Sequence, residues 1–163
     1  MNHQHTLQQL NTLRLSGMAE ALSQQLDQPT TYEELGFFER LSLLVNSEAT
    51  SRDNRKITRL LRQAKLRLNA HPADIDYRAR RGLNKDTLAQ LLQLDWIGHH
   101  RNVLIEGATG TGKTFLACAF GRTACEHGIS VRYFRSSRLF EALTVAHGDG
   151  SFGKLLAQLA KTE

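Results

Sequence analysis

Eight consecutive residues, Gly107, Ala108, Thr109, Gly110, Thr111, Gly112, Lys113 and Thr114, follow the spacing G-x-x-x-x-G-K-[ST]. Residues of these types at this spacing suit one task, cradling the phosphates of a nucleotide. Glycine at 107, 110 and 112 lets the backbone curl until successive N–H groups point inward at phosphate oxygens. A helix beginning near Lys113 adds the positive end of its dipole to the same anion. The Lys113 ammonium neutralises β- and γ-phosphates, and the Thr114 hydroxyl is a ligand for Mg²⁺.

Such a loop works only between a strand and a helix, and the flanking residues predict both. Residues 102–106 form a short apolar run that reads as a strand, and 115–126 read as a helix. Gly128 stops that helix, and 129–135 read as a second strand. Ser136 or Ser137 is placed to cap a helix through Leu139, Phe140 and Leu143. A turn at 148–150 and a last helix at 152–161 follow. Alternating strands and helices predict an α/β layer with a parallel sheet. Phosphate chemistry also needs an acid at the end of a later apolar strand, to hold Mg²⁺ and align water. After Lys113 no run of four apolar residues ends in Asp or Glu, and the sequence stops 50 residues on. Hydrolysis by this chain is therefore doubtful on the sequence.

The N-terminal part has a different pattern. Leu15, Met18, Ala19, Leu22 and Leu26 recur at helical spacing, after a shorter stretch with Leu7 and Leu10. Pro29 marks a break, and Thr31 with Glu34 has the form of a capping box. Leu41, Leu44, Val45, Glu48 and Ala49 continue as helix, then Ile57, Leu60, Leu61, Ala64 and Leu68, to about residue 69. Charge is concentrated there. Residues 1–51 carry net −4, residues 52–81 net +7 and residues 82–163 net +2, within a total of +5. Arg52, Arg55, Lys56, Arg59, Arg62, Lys65 and Arg67 fall outside the apolar stripe, on a basic face without compensating Glu four residues away. Arginine forks suit phosphate contacts, which position a protein on double-stranded DNA without reading sequence. No aromatics interleave the run, which disfavours single-strand stacking.

The remaining features are plainer. His71 and Pro72 end the helical part, 73–77 look extended, 78–82 are basic and end in glycine, and 84–94 read as a short helix. Cys118 and Cys125 lie two helical turns apart, too far for a disulfide. The seven histidines have no ligand spacing, and Trp96 reads as packing. No apolar run is long enough to span a membrane, and no signal peptide opens the chain, so a cytoplasmic protein is expected.

Taken together, these stretches make the chain resemble the IstB-type helper ATPases of bacterial insertion sequences, relatives of the DnaC-type helicase loaders. Residues 13–22, 38–45 and 53–66 carry the resemblance, with Asp95, Trp96 and Ile97 shortly before 102–114. The resemblance implies an all-helical N-terminal domain at 1–70, a connector at 71–100, and at 101–163 the first part of a P-loop (AAA+) three-layer α/β domain. It implies ATP and Mg²⁺ at 107–114, DNA contact by the basic helix, assembly as a homo-oligomer on DNA, and presentation of target DNA to a transposase. Loading a replicative helicase is the alternative. It also implies a C-terminally truncated chain, ending about where the acidic strand should begin.

Overall fold

The computed structural model describes residues 3–77 and 82–163. The basic residues Arg78, Arg80 and Arg81 lie outside the described residues. The chain divides into two compact units, Met1–Lys56 and Ile57–Glu163. The division falls inside a long helix, at neither of the limits drawn from the sequence at 70 and 100.

In the first unit, α1 (His3–Thr12) and α2 (Ser16–Asp27) are separated by a tight turn with Arg14 at φ 60°. Pro29 then opens the single turn α3 (Pro29–Tyr32), where its missing N–H costs nothing. Thr31 lies inside α3, so the expected capping box does not form there. The cap belongs to Gly36, whose N–H donates to Glu39 Oε2 at 2.8 Å at the start of α4 (Phe37–Ala64). Glycine allows α2 to lie close on α4, because a Cβ on Gly17 would sit 2.7 Å from the Ser47 carbonyl oxygen. The apolar stripe expected on this part of α4 is only partly used. Glu48 is buried, while Leu41 and Val45 are exposed.

In the second unit, the end of α4 supplies Leu60 and Ala64 to a cluster with Cys125. The helix stops at Ala64, not near residue 69. Lys65 adopts φ 50°, and the Tyr133 N–H donates to the Ala64 carbonyl at 2.9 Å, satisfying a helix-end acceptor. A 3₁₀ turn at Pro72–Asp74 follows, where an extended segment was expected. Beyond it lie α5 (Lys85–Leu92), capped by the Asn84 side chain, and the single turn α6 (Asp95–Gly98). The hub is α7 (Lys113–Glu126), which contributes to all three buried clusters through Cys125, through Cys118 and Ala119, and through Phe120. Both cysteines are buried and free. Two further helices, α8 (Ser136–Asp149) and α9 (Phe152–Ala160), complete the unit. No serine side chain caps α8, whose N-cap position is Arg135.

No strand is assigned among the described residues. Residues 102–106 and 131–134 nonetheless keep the period of two that an extended segment imposes. Val103 and Ile105 are half-buried while Leu104 is 82% exposed, and Val131 and Tyr133 are half-buried while Arg132 is exposed. The difference from the expected sheet is one of pairing. A strand is defined by ladder bonds to a neighbour, whereas the Tyr133 N–H goes to a helix-end carbonyl and the Ser130 N–H to Glu163 Oε2.

Candidate functional site

The eight residues 107–114 form one loop running into the first turn of α7. Gly110 and Gly112 have φ of 84° and 95°, left-handed values that glycine adopts without strain. At Gly107 (φ 151°) a Cβ would lie 3.1 Å from Thr111 Oγ1, so a side chain there would crowd the loop. The Thr111 hydroxyl donates to the Ala108 carbonyl at 2.8 Å and ties the curl from within. Lys113 folds back over it. Its Nζ donates to the Gly107 carbonyl at 2.8 Å and the Ala108 carbonyl at 2.7 Å, which fixes the ammonium across the loop.

Gly112 is the N-cap of α7 and has no side chain to satisfy the helix's first amides. Those donors and the helix dipole face the loop, an arrangement suited to an anion. The loop opens on a cleft of about 560 Å³, walled by Ile75, Leu83, Phe115 and Leu116 beside Gly107 and Lys113. Ile75 and Leu83, from the connector, are cleft residues that the motif could not reveal. Their signal was only an apolar residue on each side of a basic run. Asp74, Asp76 and Glu106 also line the cleft. Among the described residues, no group of three or more His, Cys, Asp or Glu is arranged to hold a metal ion. Trp96 donates its indole N–H to the Leu91 carbonyl at 2.9 Å and is half-buried in its own unit.

The seven basic residues are all exposed. Arg52, Arg55 and Lys56 belong to the first unit, and Arg59, Arg62, Lys65 and Arg67 to the second. Lys65 and Arg67 lie past the end of α4. Contrary to the sequence pattern, the basic face does have a compensating acid, Glu48, four residues before Arg52. Its Oε1 accepts from Arg52 Nε at 2.7 Å and from Arg55 Nη2 at 3.3 Å. Its Oε2 accepts from the Gly17 N–H at 2.8 Å and the Met18 N–H at 3.3 Å. The Arg52 guanidinium, together with these amides, holds the Glu48 carboxyl below the usual carboxylate range against the opposing effect of burial. Reading Glu48 only as a residue that continues the helix concealed this role.

A glycine-curled phosphate loop on the N-terminus of a core helix defines a P-loop nucleotide-binding protein. The family model described as IstB-like ATP binding protein matches residues 8–163, and the chain belongs to that family. It is similar to a Pseudomonas fluorescens protein named for ATP binding and for insertion sequence IS1162, at 48% identity over all of this chain and 71% of that one. An insertion-sequence ATP-binding relative from Sinorhizobium fredii is 43% identical over 97% of this chain and 64% of its own length. One from Mycobacterium tuberculosis is 34% identical over 93% of this chain and 60% of its own. The chain thus spans roughly two thirds of the length of these relatives. Among the described residues no helix is long and apolar enough to cross a membrane.

Proposed function

We propose that this chain is the nucleotide-binding and DNA-binding part of an insertion-sequence transposition helper, which holds target DNA and presents it to a transposase. The observation that carries the reading is the loop at 107–114, with Lys113 Nζ held by two loop carbonyls beneath the uncapped start of α7. The donors fit a triphosphate. The N–H groups at the start of α7 bind its oxygens, and the Lys113 ammonium exchanges carbonyl partners for β- and γ-phosphate oxygens. Thr114, in the first turn of α7, is the residue that would hold Mg²⁺, and the ion would supply charge neutralisation between the phosphates. Residues 102–106 and 129–135 supply strands of the three-layer α/β (AAA+) domain at 101–163. Residues 1–70 form the helical DNA-binding domain and 71–100 the connector. Arg52, Arg55, Lys56, Arg59, Arg62, Lys65 and Arg67 contact the backbone of double-stranded DNA, where the protein assembles as a homo-oligomer.

The names of the relatives, each tied to an insertion sequence, favour a transposase over a helicase as partner. Lys113→Ala is expected to weaken binding of a fluorescent ATP analogue with Mg²⁺ by roughly tenfold to a hundredfold, the effect of losing a charged hydrogen-bond donor. In a parallel pull-down, the wild-type protein with Mg-ATP recruits the transposase to duplex DNA, and the variant recruits less. Unchanged nucleotide affinity in the variant sinks the P-loop assignment. Intact nucleotide and DNA binding with no transposase recruitment sinks the partner assignment alone.

A further inference from the structure

We infer that Glu48 is a positioning residue for DNA, its buried carboxylate holding the Arg52 and Arg55 guanidinium groups as one preordered pair for duplex phosphates. The inference rests on the proposed duplex contact by the basic segment. One carboxylate performs two tasks on its two oxygens. Oε2 is anchored by the Gly17 and Met18 amides at the start of α2, and Oε1 receives both arginines. The anchor is stiff, because α2 approaches α4 too closely at Gly17 for a Cβ. Ser47 Oγ also donates to the Gly17 carbonyl at 3.0 Å across the same seam.

The arginines differ from their anchor in exposure. The Glu48 side chain is 8% exposed, while those of Arg52 and Arg55 are 61% and 50% exposed. Glu48 takes Arg52 through Nε and Arg55 through Nη2, and Arg55 Nε donates to the Ser51 carbonyl at 3.2 Å. Each guanidinium has five N–H donors in a planar fork, so donors remain for phosphate on an orientation already fixed. Fixing a long side chain before binding removes an ordering cost from the binding step. The two cations thus meet on one oxygen. The trio keeps a net positive charge.

Charge and positioning predict opposite signs for Glu48→Gln. The variant gains one unit of net positive charge, so a purely electrostatic role for Glu48 predicts tighter DNA binding. A positioning role predicts weaker binding. We expect the 163-residue chain carrying Glu48→Gln to bind a labelled duplex oligonucleotide about fivefold more weakly by fluorescence anisotropy. The loss should vanish when Glu48→Gln is placed on an Arg52→Ala/Arg55→Ala background. Ser47→Ala, which loosens the same seam but leaves both arginines on Glu48, should weaken DNA binding by less than Glu48→Gln does. Unchanged or tighter binding by Glu48→Gln overturns the inference, as does an equal loss on both backgrounds or an equal loss in Ser47→Ala, which mark a structural role. If Arg52→Ala/Arg55→Ala itself leaves binding unchanged, the DNA assignment of these two residues falls, and the inference with it.

Discussion

Lys113 and Glu48 show how one charged side chain is given a job by its neighbours. Lys113 is held by two carbonyls of its own loop, partners that on the proposed reading a phosphate replaces with stronger, charge-assisted ones. Glu48 is committed on both oxygens, to two amides and two guanidinium groups. This pairing makes stability depend on pH. The Glu48 pKa is lowered from 4.5, so its contribution to folding is complete above that ordinary value. It is lost as pH falls through the lower folded-state value. Asp149, lowered by its bonds to the Ser151 hydroxyl and amide, acts in the same direction. Thermal unfolding of the wild type should therefore become easier below about pH 4.5. Glu48→Gln should show a flatter acid limb. Parallel acid limbs in the two proteins would count against the Glu48 contribution. The Cys125 thiol, pushed up by burial in the α7 core, stays protonated and unreactive near neutrality.

At the scale of elements, close approach is achieved with a helical glycine at two seams of unlike tolerance. Across the α2 and α4 seam, a Cβ on Gly17 would meet backbone, the Ser47 carbonyl oxygen at 2.7 Å and Glu48 Cα at 2.8 Å. On α7, a Cβ on Gly121 would meet only side-chain atoms, Leu66 Cδ2 at 3.0 Å and Val131 Cγ1 at 3.3 Å. Backbone cannot step aside, whereas a leucine can change rotamer. Gly17→Ala should therefore destabilise the protein by about 1–3 kcal/mol through overpacking. Gly121→Ala should cost less, because the side chains it would meet can shift. Urea unfolding of both variants checks this, and a larger loss for Gly121→Ala would reverse the account of which seam is rigid. The same scale explains why α7 can carry the phosphate loop. It is buried through Cys118, Ala119, Phe120, Thr123, Ala124 and Cys125, so its N-terminus is fixed by the core and not by the loop.

For the whole molecule, the governing quantity is the uneven distribution of charge. A net +7 over residues 52–81 within a protein of net +5 means that the rest is slightly acidic. DNA affinity should therefore fall steeply with salt and depend little on sequence. Every basic side chain that neutralises a phosphate steepens the plot of log K against log salt by about 0.9. Replacing Arg59, Arg62 and Lys65 together by alanine should make the plot shallower by roughly two to three units, about 0.9 for each residue. Binding titrations over a range of salt concentrations measure it directly. An unchanged slope would place the DNA elsewhere on the protein.

The sequence by itself determined the phosphate loop, the helix after it, the basic segment and most helices, because these depend on near neighbours. A glycine spacing, a 3.6-residue period and a charge run are local properties, and residues 107–114 could be read without any fold. Tertiary structure decided what depends on partners far along the chain. Glu48 read only as a residue continuing a helix until Gly17, 31 residues away, supplied the amide that explains its burial. Leu68 read as part of a helix that in fact stops at Ala64, where a carbonyl takes its bond from Tyr133. The run 102–106 and the middle of 129–135 kept their alternation but not the ladder expected of them. Alternation is written in one segment, while a ladder needs a second segment to bond to.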